Sequence, residues 1–110
     1  MDFKPYPYKD VPNYIQIETN IICNAKCDFC TQHKVTRRPI TMEDSVWKKI
    51  IDDTRGRGIT YRPFLLNEPF TDKRMLDICR YIKQDKTAKI EFNTNGALLT
   101  PEKTDELLKV

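Results

Sequence analysis

Long apolar runs are missing from this sequence. The longest, such as Phe64-Leu65-Leu66, reach only a few residues, whereas a helix that crosses a membrane needs about 20. That excludes a transmembrane segment. The opening residues, Met1-Asp2-Phe3-Lys4-Pro5-Tyr6-Pro7-Tyr8, hold no apolar core of the secretory kind, so no signal peptide is expected. An excess of one charge sign is lacking too. The 19 basic residues stand against 16 acidic ones, a net +3, which is too weak and too evenly mixed to point to nucleic acid. Internal repeats and low-complexity tracts are absent, and 110 residues allow one domain at most.

Cysteine, by contrast, is present and crowded. Three of the four cysteines, Cys23, Cys27 and Cys30, fall within eight residues. A disulfide scaffold needs an oxidising compartment, and no export signal is visible. The crowding suits a metal or cluster better than cramped bridges. The expectation is a cytoplasmic chain with reduced thiols.

Residues 1–13, with three prolines and two tyrosines, read as an extended arm. Tyr14 to Glu18 alternates apolar and polar residues, a strand pattern. Residues 19–40 show no sustained period, and a loop of that length is usually functional or disordered. A helix is predicted next, with Thr41 as N-cap, Glu43 and Asp44 in its first turn, and an apolar stripe of Met42, Val46, Trp47, Ile50 and Ile51. Gly56 and Gly58 end it. Ile59 to Leu66 reads as a buried parallel strand, stopped by Asn67-Glu68-Pro69. A second helix is expected from Thr71 or Asp72 to Gln84, with Met75, Ile78, Cys79 and Ile82 on one face. Ala88 to Asn93 forms a third strand, and Asn95-Gly96 turns the chain. Thr100 and Pro101 open a third helix as N-cap and first helical residue, with Leu107 and Leu108 as its apolar face. Strand and helix alternate three times, which implies an α/β fold with parallel strands and right-handed crossovers. The chain stops within the third helix, and its parallel sheet would keep exposed edges. We therefore expect the front part of a longer α/β chain.

The sharpest feature is Cys23-Asn24-Ala25-Lys26-Cys27-Asp28-Phe29-Cys30. It lies just beyond the C-terminal end of the first strand, the end at which open α/β folds and barrels bind ligands. Soft thiolates favour iron–sulfur clusters or zinc. A [4Fe–4S] cluster normally takes four cysteines, so three local thiolates would leave one iron open to a small molecule. The zinc alternative would use His33 as fourth ligand and make the chain a non-catalytic interaction module, although zinc fingers usually split their ligand pairs across a longer loop. Cys79 sits at core spacing and reads as a buried free thiol. Arg37 and Arg38 read as solvated surface. Glu18, Thr19, Asn20, Glu68, Asn93 and Asn95 are polar groups at the strand ends, able to orient a ligand.

The spacing Cys-x3-Cys-x2-Cys, with an aromatic residue just before the last cysteine, resembles the signature of the radical S-adenosylmethionine (radical SAM) superfamily. Asn67-Glu68-Pro69 stands where that family commonly has Gly-Gly-Glu-Pro, and Thr94-Asn95-Gly96 resembles the Thr-Asn-Gly of one large branch. The resemblance covers about residues 14–110 and implies the first three units, (βα)3, of a partial (βα)6 TIM-like barrel. It implies that Cys23, Cys27 and Cys30 ligate three irons of a [4Fe–4S] cluster and that S-adenosylmethionine chelates the fourth. Phe29 would sit near the adenine, Asn67, Glu68 and Pro69 would line the site of the amino group, and Thr94 and Asn95 would approach the ligand from the third strand. Where the family has two glycines this chain has Leu66 and Asn67. Leu66 is expected to pack inward or away, and Asn67 to tolerate an unusual backbone angle. The implied reaction is one-electron cleavage of S-adenosylmethionine to a 5′-deoxyadenosyl radical that takes hydrogen from a substrate. Its electron donor would be of flavodoxin or ferredoxin type, and its substrate a peptide, sugar or cofactor precursor. Activity would need more than these three units.

Overall fold

The computed structural model describes residues 11–30 and 40–110. Most of the expected N-terminal arm, and with it His33, Arg37 and Arg38, lies outside the described residues.

Three short strands form one parallel sheet in the order β1-β2-β3: β1 Tyr14–Gln16, β2 Thr60–Arg62 and β3 Lys89–Ile90. Tyr14 stands opposite Thr60, and Thr60 opposite Lys89. Ladder hydrogen bonds run on past the strand ends, from Ile17 N–H to the Arg62 carbonyl at 2.9 Å and from Glu91 N–H to the Tyr61 carbonyl at 3.0 Å. Helices α1 Asp44–Thr54, α2 Met75–Ile82 and α3 Pro101–Leu108 follow the successive strands. The alternation expected from the sequence is therefore present, with every strand shorter than expected. In β2 the cause is Pro63, which has no N–H to give the ladder. The chain bends there, with Phe64 N–H reaching back to the Arg62 carbonyl at 2.8 Å.

The core lies between sheet and helices. Tyr61 of β2, with Ile17 just after β1 and Ile59 just before β2, meets Trp47 and Ile51 of α1 and Met75, Ile78, Cys79 and Ile82 of α2, all buried. Trp47 packs edge-on against Tyr81 with ring centroids 5.3 Å apart, a favoured aromatic geometry. Cys79 is core, as its spacing predicts. Burial pushes its thiol up to about 12, so it stays protonated and inert.

Several boundaries differ from expectation. Thr41 does not cap α1. The helix begins at Asp44 with Glu43 in the cap position and no side-chain cap bond, because Met42 N–H is held by the Thr19 carbonyl at 2.7 Å and the chain turns helical only after that tie. Val46 points outward while Trp47 and Ile51 face the core. The second helix, expected from Thr71 or Asp72 to Gln84, spans only Met75–Ile82, and a short 3₁₀ turn, Pro69–Thr71, comes before it. Pro69 limits the local backbone, and Glu68 accepts from Phe70 N–H there. α3 is as expected at its start: the Thr100 hydroxyl accepts from Lys103 N–H at 3.2 Å, with Pro101 in the first turn. Leu107 packs on the core, but Leu108 is 79% exposed and takes no part in the apolar face.

A charge cluster ties α1 to α2. Arg74 reaches the buried Asp72 carboxylate at 2.8 Å and Asp44 at 2.7 Å. Burial by itself would raise the Asp72 pKa, but hydrogen bonds from the Arg74 side chain and backbone hold it below the usual carboxylate value. A carboxyl with a depressed folded-state pKa stabilises the fold above its unfolded pKa and loses that contribution as pH falls through the folded value. Arg74→Ala is expected to cost about 2 kcal/mol near pH 7, because it leaves a buried carboxylate without its partner. The variant should also lose part of the wild-type decline in stability below about pH 4. Urea unfolding across that range checks both.

Candidate metal and cofactor site

The site is built where the three strands end. Glu18, Thr19 and Asn20 leave β1, the last two buried, and the cysteine loop follows at once. The root of that loop is fastened to the segment after β2. The Asn20 Oδ1 oxygen accepts from Ile22 N–H at 3.2 Å, Asn67 Nδ2 at 3.2 Å and the Thr71 hydroxyl at 3.3 Å. The Ile22 carbonyl in turn accepts from Glu68 N–H at 2.9 Å. Cys23 is thus the first residue beyond a doubly anchored stem.

Asn67, expected to tolerate an unusual backbone angle, does not take a positive φ. Among the described residues every positive φ belongs to glycine, at Gly56, Gly58 and Gly96. Asn67 works through its side chain instead: Oδ1 accepts from Leu65 N–H at 3.0 Å while Nδ2 donates to Asn20. Leu66 is half-buried, and its N–H is taken by Glu18 Oε2 at 2.8 Å. Side chains thus satisfy the backbone N–H groups of Leu65 and Leu66.

Glu68 is 3% exposed, and its carboxylate spans the gap from β2 to β3. Oε1 accepts from the Thr94 hydroxyl and from Phe70 N–H, and Oε2 accepts from Asn95 N–H at 3.0 Å. The Thr94-Asn95-Gly96 turn is closed by its own side chains, with Asn95 Oδ1 accepting from Ala97 N–H at 2.9 Å and the Thr94 hydroxyl accepting from Gly96 N–H at 3.1 Å. Gly96 takes φ +75°, which favours glycine. Asn95 Nδ2 donates to Asn24 Oδ1 at 2.7 Å. The segments after all three strands therefore meet at one edge of the sheet.

Cys23 and Cys30 are half-buried, Cys27 is exposed, and all three are free thiols. Cys30 N–H bonds the Cys27 carbonyl at 3.1 Å, which turns the loop back on itself. Among the described residues no three His, Cys, Asp or Glu side chains converge as a ready-made metal site. The donor chemistry nonetheless fits a cluster: three soft thiols, none used in a disulfide, on one short anchored loop. Phe29 stands 93% exposed beside them. Asn93 is exposed and joins none of these hydrogen bonds.

Sequence reasoning passed over Asn24 and Thr71. Their partners lie 71 and 51 residues away, and nothing in the local pattern signals such pairs. A concavity of about 480 Å³ lined by Ile90, Phe92, Leu107 and Val110 among others runs along β3 and α3. It shares no residue with the cysteine loop. Among the described residues no helix is long and apolar enough to cross a membrane.

The family model of the radical SAM superfamily matches residues 17–110. No curated protein matches by sequence. The fold is similar to that in the crystal structure of BtrN in complex with AdoMet and 2-DOIA, with a TM-score of 0.82 at 19% identity. The match covers 93% of this chain and 43% of that one, so the chain spans less than half of the structure it resembles.

Proposed function

Because the chain belongs to the radical SAM superfamily, we propose that its cysteine loop carries a [4Fe–4S] cluster and that the strand ends beside it bind S-adenosylmethionine. The observation that supports this most is the convergence of three sequence-distant motifs: the loop stem on Glu68 N–H at 2.9 Å, and Asn24 on Asn95 at 2.7 Å. Cys23, Cys27 and Cys30 would hold three irons. When bound, the cluster and S-adenosylmethionine would together supply one-electron cleavage of a carbon–sulfur bond and a 5′-deoxyadenosyl radical for hydrogen abstraction.

The chain's own residues bind and orient. Asn67, Glu68 and Pro69 form the buried floor beneath the loop and would line the amino-group end of the ligand. Thr94 and Asn95 approach from β3 with their backbone already tied down, which lowers the ordering cost of binding. Phe29 offers an exposed ring and an adjacent backbone to the adenine. The electron donor would be of flavodoxin or ferredoxin type, and the substrate a peptide, sugar or cofactor precursor.

Anaerobic reconstitution with ferrous iron and sulfide tests the reading. The expected product is brown, binds iron and sulfide, bleaches in air, and changes its spectrum when S-adenosylmethionine is added. After addition of a strong reductant, 5′-deoxyadenosine should form. A colourless chain with stoichiometric zinc would overturn the reading in favour of a structural metal. A cluster whose spectrum ignores S-adenosylmethionine would argue for plain electron transfer.

A further inference from the structure

We propose that Asn24 and Asn95 form a clasp that holds the cysteine loop over the strand ends before a cluster arrives and slows cluster loss afterwards. The proposal deepens the cluster reading, and its second readout rests on it. Asn24 directly follows Cys23, and its Oδ1 accepts from Asn95 Nδ2 at 2.7 Å. The donor's orientation is set from the other side, because Asn95 Oδ1 already accepts from Ala97 N–H at 2.9 Å, leaving Nδ2 to face the loop. Asn95 is in turn anchored through its backbone, whose N–H donates to the buried Glu68 carboxylate at 3.0 Å. A continuous path thus runs from the floor after β2, through the β3 turn, to the cysteine loop.

The loop stem has its own anchors at Asn20 and Ile22, but these lie before Cys23. Among the described residues, the Asn24–Asn95 bond ties a side chain of the cysteine run itself to the turn after β3. The thiols of Cys27 and Cys30 must still gather around the metal. With Asn24 fixed, fewer backbone angles have to be ordered when they do so, and less conformational entropy opposes uptake. Asn24 and Asn95 are positioning residues in this role, acting on the thiols through the backbone between them.

The bond has a direction, and this makes the test specific. Asn24→Asp keeps the accepting oxygen and should keep the clasp. Asn95→Leu keeps a side chain of similar size but has no donor, so it should fail as Asn95→Ala and Asn24→Ala do. The first readout is hydrogen exchange on the metal-free chain. Amides of residues 24–30 should exchange about three- to tenfold faster in the three failing variants, as expected for loss of one hydrogen bond, with peptides from α2 unchanged and Asn24→Asp like wild type. The second readout is iron loss to a chelator after anaerobic reconstitution. It should follow the same ranking, with the Asn24→Ala/Asn95→Ala double variant no faster than either single one. Unchanged exchange in the alanine variants, additive effects in the double variant, or wild-type exchange in Asn95→Leu would overturn the clasp. A wild-type chain that takes up no iron would overturn the cluster reading and the clasp's part in retention, while the exchange result still decides the clasp itself.

Discussion

Single replacement of Cys23, Cys27 or Cys30 by Ala should leave the chain with almost no bound iron after anaerobic reconstitution. Cys79→Ala should retain the wild-type amount. The contrast follows from position. The first three thiols stand on a loop at the strand ends, and Cys27 is exposed. Cys79 lies in the core between Met75 and Ile82, fully buried, with burial pushing its thiol up to about 12. Thiols, not thiolates, bind soft metals poorly. Cys79→Ala should instead cost about 1–2 kcal/mol of stability, because it opens a small void in a packed core. Alkylation adds an independent check. At neutral pH a thiol reagent should label the loop cysteines on the native chain and reach Cys79 only on unfolding. Loss of iron in Cys79→Ala with retention in Cys27→Ala would overturn the ligand assignment.

Glu68→Ala should loosen both the β3 turn and the site's floor. The carboxylate accepts from the Thr94 hydroxyl, Asn95 N–H and Phe70 N–H, and hydrogen bonds to a charged group are worth about 1.5–3 kcal/mol each. Thr94 and Asn95 are exposed and can turn to water, so much of that loss would appear as disorder rather than unfolding. Affinity of the reconstituted chain for S-adenosylmethionine should fall at least about tenfold, since the ligand must then order the turn on binding. Glu68→Gln is a sharper probe. One of its two positions becomes an NH2 group that faces a donor, either the Thr94 hydroxyl or Asn95 N–H. It should fall between wild type and Ala. Equilibrium dialysis measures the affinity, and amide exchange at Asn95 reports the turn. Wild-type affinity and unchanged exchange in Glu68→Ala would show that the bridge has no bearing on the site.

The order of elements and the place of the cysteine loop were legible in the sequence, because both depend on local patterns. Three apolar runs alternate with three helical stripes, and the cysteine spacing needs no tertiary contact to be noticed. The helix starting at Pro101 was legible for the same reason: an N-cap threonine followed by proline acts within one turn. Cys79 was assigned to the core by periodicity alone, and it is there.

Strand lengths, the true start of α1 and the wiring of the site were decided only in three dimensions. Thr41 has the chemistry of a cap, yet the Thr19 carbonyl, from a different element, holds Met42 N–H and delays the helix to Asp44. Asn67 could have satisfied a glycine-like turn by a left-handed backbone, but with Asn20 Oδ1 and Leu65 N–H in reach its side chain does so at lower strain. Asn24 carries no signal in its own neighbourhood, because its partner Asn95 is brought beside it by the parallel order of β1, β2 and β3. A residue's type and spacing determine which bonds it is able to make. Which of them it makes depends on the groups the fold brings within about 3 Å, and here those groups come from strands far apart in the chain.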